Sequence, residues 1–285
     1  MTAGTLTMMK VGYQGEPGAF SEEAVGALFP DAHAAPSRTV RGVFEALERG
    51  DVAYAVVPLE NSLAGSINET YDLLARGGAH IVGEVVLAVD HALLALPGTK
   101  LEDIRIVSSH PQALAQCDEY LAELDVELVP VYDTAGAAKR IAEERFVGEA
   151  AVASERAAVV YGLEVLARSI QTSEENQTRF AAISPAADPL AEPDKTSLIL
   201  VTGHKPGALY HCLRPLAEHG VNLTKLESRP VGHTPWRYRF FRDVEGTPAD
   251  EMFAKALQEL REEAAEVQIL GSYHRWRTDS DPEAS

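Results

Sequence analysis

The chain has 285 residues, 46% of them apolar, enough for one large or two modest domains with full cores. Aspartate and glutamate outnumber lysine and arginine by 43 to 25, a formal net charge of -18 that makes nucleic acid and anionic lipid surfaces poor partners. An anionic substrate must then be drawn in by local donors within a Debye length of about 8 Å, so the site is expected to be a pocket.

Met1 to Met9 shows no basic segment followed by an apolar core, and the greasiest stretch, Ile81 to Leu96, is broken by Glu84, Asp90 and His91. No secretion signal or membrane span is expected from this pattern. Cys117 and Cys212 fit no metal or redox spacing and fall in helical patterns, so they read as small buried apolar residues. A cytoplasmic location follows as an expectation, since two free thiols are stable there.

From Lys10 to about Ser184 short apolar runs alternate with helical patterns, the rhythm of an α/β layer architecture. Gly12 to Gly18 follows the first strand as a glycine-rich turn, and Ser21 is expected to cap the next helix. Its spacing is not that of a dinucleotide fingerprint and Glu16 repels phosphate, so the turn is read as backbone access to a pocket. Val40, Val43, Phe44 and Leu47 recur at helical spacing up to Gly50, and Ala53 to Val57 reads as a buried strand. Then come a strand over Ile104 to Val107 with a helix from Pro111, a strand over Leu128 to Val131 with a helix after Asp133, and a strand over Ala150 to Ala153 with a helix after Ser154.

The junctions carry the chemistry. Ser109, Thr134 and Ser154 stand where strands end and helices begin, and Glu60, Asn61 and Ser62 follow another strand. In α/β sheets ligands collect at the carboxyl ends of strands, where helix starts offer free N–H groups. Ser109, Thr134 and Ser154 are therefore candidate substrate-binding residues, with plain N-capping as the alternative for each. Thr178-Arg179-Phe180 closes a polar run and opens an apolar one, putting a hydroxyl and a guanidinium at the mouth of a buried strand.

Pro185 to Pro193 has no periodicity and reads as a linker, so boundaries are expected at 8–185, 186–194 and 195–277, with a second α/β lobe over about 103–178 and a disordered tail over 278–285. Beyond the linker the order is strand Ser197 to Val201, helix Ala208 to Glu218, strands Val221 to Leu226 and Trp236 to Phe241, helix Ala249 to Glu262 and strand Val267 to Leu270. This βαββαβ order is the ferredoxin-like arrangement. Trp236, Tyr238 and Phe240 alternate on one strand face, and Thr247-Pro248 with Asp250 suits a helix start. Pro215 is discordant and is expected to bend its helix or lie near its start.

No His-Glu-x-x-His pair and no Gly-x-Ser-x-Gly elbow occurs, so neither a zinc centre nor a hydrolase elbow is expected, and no cofactor is called for. His110, before Pro111, is biased toward extended geometry and reads as a positioning residue.

Tyr13 to Ser21, Val57-Pro58-Leu59-Glu60-Asn61-Ser62, Ser109-His110-Pro111-Gln112 with Gln116-Cys117, and Thr178-Arg179-Phe180 occur in the order and approximate spacing of prephenate dehydratases, which the chain resembles over nearly its whole length. Gly207-Ala208-Leu209, Asn222 and Glu227-Ser228-Arg229-Pro230 resemble the ACT regulatory domain of that family. The resemblance implies a two-lobed, periplasmic-binding-protein-like α/β catalytic domain followed by a ferredoxin-like ACT domain. It also implies decarboxylating dehydration of prephenate to phenylpyruvate, L-phenylalanine as effector bound at those ACT residues, and a homodimer or homotetramer. Ser62-Leu63-Ala64-Gly65-Ser66-Ile67 is closer to the arogenate dehydratase form, which leaves the substrate open. No helical segment long enough for a fused chorismate mutase precedes Lys10, so a stand-alone enzyme is expected.

Within this resemblance Thr178 is the expected general acid for the departing hydroxyl. Arg179 either grips a carboxylate or holds a loop carboxylate such as Glu174, and strand alternation points it away from Thr178. Glu60 is either turned away to fix backbone or protonated as a second acid. Asn61, Ser62, Ser109 and Gln116 are expected as neutral donors, and Phe180 as part of the catalytic triplet. Gly207 admits close backbone approach and Glu227 can attract an ammonium group. Two other classes remain: a two-lobed solute-binding protein, and a non-catalytic amino-acid sensor in which Thr178 is idle.

Overall fold

A computed structural model describes residues 8–173, 175–230 and 238–277. Its first elements are β1 (Lys10–Gln14), α1 (Phe20–Leu28), β2 (His33–Ser37), α2 (Val40–Glu48), β3 (Tyr54–Asn61), β4 (Gly65–Ser66), α3 (Asn68–Leu74) and β5 (His80–Ala88). Next come β6 (Ala92–Ala95), β7 (Ile106–Ser109), α4 (Pro111–Gln116), α5 (Asp118–Ala122), β8 (Glu127–Pro130), α6 (Thr134–Glu144), β9 (Glu149–Ala153), α7 (Glu155–Tyr161), β10 (Glu164–Ala167) and β11 (Gln177–Ser184). The last are β12 (Lys195–Val201), α8 (Ala208–Glu218), β13 (Leu223–Pro230), β14 (Tyr238–Glu245), α9 (Glu251–Glu263) and β15 (Glu266–Tyr273).

Two sheets organise the part before the linker. The first has the order β2-β1-β3-β11-β5 with β4 on β3, and β1 runs parallel to both its neighbours. The second has the order β10-β6-β9-β7-β8, with β7 parallel to β8 and β9. On β9 the period-2 alternation sends Ala151 and Ala153 to one core with Leu94 and Ile141, and Ala150 and Val152 to another with Val107 and Leu121. Burial on both faces is why this strand reads as an unbroken apolar run.

The third sheet is antiparallel, in the order β13-β14-β12-β15, and α8 and α9 cover it through Leu198, Leu200, Cys212, Phe253 and Leu257. Two-lobed α/β followed by a ferredoxin-like domain is therefore the architecture. By contact the chain divides into residues 1–67 with 85–180, and residues 68–84 with 181–285. The grouping of 68–84 with the later segment departs from the sequence boundary at 185. Its cause is local: Lys195 Nζ sits 3.0 and 2.9 Å from the two Glu84 carboxylate oxygens, Leu190 N–H donates to Val82 O, and Gly271 lies against the Ile81 carbonyl.

Three local expectations change. Ser21 does not cap α1; Ala19 is the N-cap, and Glu22 accepts the Gly18 N–H at 2.7 Å, a carboxylate doing the work at the positive helix end. Pro215 does not lie near the start of α8; it is buried inside the helix, where the bond toward the His211 carbonyl is forfeited. Asp250, at the start of α9, turns back to accept the Thr247 N–H at 2.6 Å instead of capping forward. Trp236, Glu174 and the tail 278–285 lie outside the described residues. Cys117 and Cys212 are buried free thiols.

Candidate active site

In the first unit a cavity of about 280 Å³ is walled by strand and turn residues of the first sheet and by the helix starts that follow strands of the second, among them Gln14, Phe20, Asn61, Ser66, His91, His110, Gln112, Gln116, Asp133, Thr134, Thr178 and Phe180. Thr178 and Phe180 reach it because they share one face of β11. Arg179, between them, points to the other face and pairs with Glu60 at 2.9 Å. Neither Glu60 nor Arg179 is among the residues that line the cavity, and their pairing on the other face of the strand favours the structural alternative for both.

Asn61 organises the polar wall. Its Oδ1 accepts the N–H groups of Leu63 and Ala64 at 3.1 and 3.0 Å, a turn closed by the side chain. Those donors fix which end of the amide is oxygen. Nδ2 shares its two protons among three acceptors, Asn176 Oδ1 at 2.7 Å, the Gln177 carbonyl at 3.0 Å and Thr178 Oγ1 at 3.0 Å. Thr178 is the acceptor in that last bond, so its own proton is free to point toward a ligand.

Gln112 and Gln116 extend Nε2 to 3.5 Å from Asn61 Oδ1, at the outer limit of a hydrogen bond. Gln116 Oε1 lies 3.0 Å from His91 Nε2. With Gln116 Oε1 facing the ring, a proton on His91 Nε2 completes this hydrogen bond. Burial, the largest influence, pushes the His91 pKa below its ordinary value, so the ring is neutral near pH 7. His110 caps α4, its Nδ1 accepting the Gln112 N–H at 3.2 Å, in the extended backbone that Pro111 imposes.

Ser109, Ser154 and Ser62, expected to bind substrate, are occupied by backbone. Ser109 donates to the Val152 carbonyl, Ser154 donates to the Gly18 carbonyl at 2.6 Å while accepting the Ala157 N–H at 3.1 Å, and none of the three lines the cavity. Ser62 donates to the Glu175 carbonyl at 2.7 Å and accepts the Gln177 N–H at 2.9 Å, clamping the chain where β11 begins. Thr134 stands on the cavity wall as the first residue of α6, and Asp133 before it is the N-cap, accepting the Gly136 N–H at 2.7 Å.

Sequence reasoning assigned no site role to His91, Gln112 or Asp133. His91 announced itself only as a polar break in an apolar run, and Asp133 only as a cap. Among the cavity's described walls there is no lysine or arginine, and Asp133 is the carboxylate present. Burial chiefly, then the charge of Glu16, raises the Asp133 pKa against the opposing Gly136 N–H. Among the described residues no three His, Cys, Asp or Glu side chains are grouped to hold a metal ion, and no helix is long and apolar enough to cross a membrane.

In the second unit Gly207, at φ 76°, turns the chain into α8, and it lines a cavity of about 520 Å³ with Ala208, Leu209 and residues 202–206 and 210. The other candidates for the effector stand apart from it. The Asn222 carbonyl accepts the Glu245 N–H, Glu227 lies 3.7 Å from Lys225, and Arg229 pairs with Asp72 at 3.0 Å. Ser228 and Pro230 complete the edge strand β13. Among the described residues, Gly207, Ala208 and Leu209 are the ones of the eight that line this cavity.

Fold and cavity together define a two-lobed α/β protein with a cleft of hydroxyl and amide donors, joined to a ferredoxin-like domain. The prephenate dehydratase family model matches residues 11–188 and the ACT domain model matches residues 196–262, and the chain belongs to the prephenate dehydratase family, a family of lyases. A chloroplastic relative from Arabidopsis thaliana, arogenate dehydratase/prephenate dehydratase 2, is 46% identical over 278 residues, spanning 93% of this chain and 72% of the relative. The structure of prephenate dehydratase from Arthrobacter aurescens in complex with L-Phe matches with a TM-score of 0.85 at 34% identity, over 94% of this chain and 90% of that one. A structure described as GqqA, a novel type of quorum quenching acylase, matches with a TM-score of 0.86 at 37% identity, over 94% and 98%.

Proposed function

We propose that the cleft decarboxylates and dehydrates a cyclohexadienyl acid of the prephenate type, prephenate giving phenylpyruvate, CO2 and water, with Thr178 as the general acid. The observation that carries this is the 3.0 Å bond from Asn61 Nδ2 to Thr178 Oγ1, which leaves the threonine proton available. As the ring–carboxylate bond breaks, its electron pair enters the ring. The carbon–oxygen pair leaves with the hydroxyl, which takes the Thr178 proton and departs as water; solvent returns the proton to Thr178. A threonine is a weak acid, so proton transfer is concerted with departure, and general-acid help of this kind contributes about 10²–10⁴ in rate.

The amide donors of Gln112 and Gln116, with the Thr134 hydroxyl, orient the anion without a full positive charge. A cation on the carboxylate that must leave would stabilise the ground state and slow the reaction. Phe180 supplies the apolar wall beside the forming aromatic ring. Incubation with prephenate, read as phenylpyruvate by ultraviolet absorbance in alkali, and with arogenate in parallel, read as phenylalanine by chromatography, tests the reading. Absence of product from both substrates overturns it.

L-phenylalanine is the proposed effector. Its carboxylate meets the start of α8 at Gly207-Ala208-Leu209 of one copy, and its ammonium meets Asn222 and the Glu227 to Pro230 segment of a second copy. The separation of these two groups within one chain supports a homodimer or homotetramer. A coupling of about 1–3 kcal/mol is enough to reset activity. Calorimetric titration with L-phenylalanine giving no heat at millimolar ligand would count against this regulation. We place the protein in the cytoplasm on its two buried free thiols; recovery in a secreted fraction would refute that.

A further inference from the structure

We propose that Asp133 recognises the ammonium group of an α-amino-acid substrate, so that the cleft takes arogenate in preference to prephenate. The inference rests on the dehydratase reading and deepens it. Asp133 is 8% exposed and stands on the cavity wall at the head of α6, on the lobe of the second sheet, whereas Thr178 stands on β11 of the first. A ring held between them presents its hydroxyl to Thr178 and its side chain to Asp133.

At the helix start Oδ1 accepts the Gly136 N–H at 2.7 Å, and the Ala135 N–H also supports the charged form. No lysine or arginine among the described residues pairs with the carboxylate. Its charged surroundings are Glu16, which opposes its ionisation, and His110, which favours it. The nearby cation Lys139 is engaged by Glu16 at 3.0 Å, as is the Tyr132 hydroxyl at 2.8 Å. Gly15, whose φ of 118° suits glycine, packs close to the carboxylate, and a Cβ there would stand 3.2 Å from Oδ2.

A buried carboxylate without a cation is costly unless a ligand supplies one. Prephenate and arogenate differ at a single group in the side chain, a ketone in the first and an ammonium-bearing carbon in the second. Facing the Asp133 carboxylate, the ketone sets acceptor against acceptor. The ammonium donates a charge-assisted hydrogen bond, and the Thr134 hydroxyl next door can donate to the carboxylate on the same carbon.

The test compares kcat/KM for arogenate and prephenate in the wild type, Asp133→Asn and Asp133→Ser. Asparagine and serine cap helices as well as aspartate does, so both variants keep α6 while removing the charge. The expected result is a wild type that prefers arogenate, and an arogenate-to-prephenate ratio that falls about tenfold or more in both variants, the size of one lost charge-assisted hydrogen bond. An unchanged ratio, whatever happens to the absolute rates, or a wild type that prefers prephenate, overturns the role of Asp133 while leaving the dehydratase reading intact. A wild type that turns over neither substrate overturns both.

Discussion

Asn61 holds Thr178 as a hydrogen-bond acceptor, Nδ2 to Oγ1 at 3.0 Å, and cannot reverse that role because its own oxygen is taken by the N–H groups of Leu63 and Ala64. An alcohol that accepts a hydrogen bond is polarised toward giving up its proton. The acidity of Thr178 is thus tied to the turn after β3, and the residues of that turn, Ala64 to Ser66, line the same cavity.

Thr178→Val is expected to lower kcat by about 10²–10⁴ and Thr178→Ser by less, since serine keeps the proton and loses only the methyl that fixes its rotamer. Steady-state kinetics on the folded variants decide this. Near-normal turnover by the valine variant would remove the alcohol from the chemistry. Asn61→Leu should also lower kcat, and should cost about 1–3 kcal/mol in stability, because the buried Asn176 amide oxygen loses its donor and the part-buried N–H groups of Leu63 and Ala64 lose their acceptor.

Glu60 and Arg179 satisfy each other off the cavity, with the Glu60 side chain about a third exposed. Glu60→Gln keeps a neutral acceptor for the guanidinium, so a loss of only about 0.5–1.5 kcal/mol in urea melts is expected, allowing for solvent screening. The shape of the kcat/KM pH profile should not move. A displaced acidic limb in this variant would return Glu60 to the proton chemistry.

The parts of the site legible in sequence were those set by local periodicity. Alternation along β11 separates Arg179 from Thr178 and Phe180, and the Ser-His-Pro-Gln segment marks the start of α4. Hydroxyl roles at the junctions were not legible, because they depend on acceptors far along the chain: Ser109 meets Val152, and Ser154 meets Gly18 across 136 positions. His91 was hidden for the same reason, its partner Gln116 lying on a different element. The βαββαβ order was readable because each element there carries its own period or stop signal. The grouping of 68–84 with the second unit was not, since it shows in contacts between distant positions, Glu84 with Lys195 and Val82 with Leu190 among them.

His91 gives the fold a defined acid sensitivity. Burial lowers its pKa in the folded protein, so below the unfolded value of about 6.5 the unfolded chain binds the extra proton first. Stability contributed by the neutral ring is present above about pH 6.5 and is lost as pH falls from there toward the folded pKa. His91→Gln retains a donor toward Gln116 and removes the titration. The slope of melting temperature against pH over this window should therefore be shallower in the variant than in the wild type. Equal slopes would show that other groups carry the acid response.

Lys195 and Glu84 form a buried pair, 6% and 5% exposed, joined by two bonds of 3.0 and 2.9 Å, with Asp243 3.6 Å from the same ammonium and the Trp276 N–H donating to Glu84. Removing one partner strands the other, so Lys195→Met is expected to cost about 3–5 kcal/mol, and Glu84→Gln less, because the amide oxygen still accepts from Lys195 and Trp276. Combining the two substitutions removes two of the three facing charges and should cost less than the sum of the single changes, a coupling read from a double-mutant cycle of denaturant melts. Strict additivity would mean that Asp243 alone compensates Lys195 and that Glu84 serves chiefly to hold the Trp276 backbone.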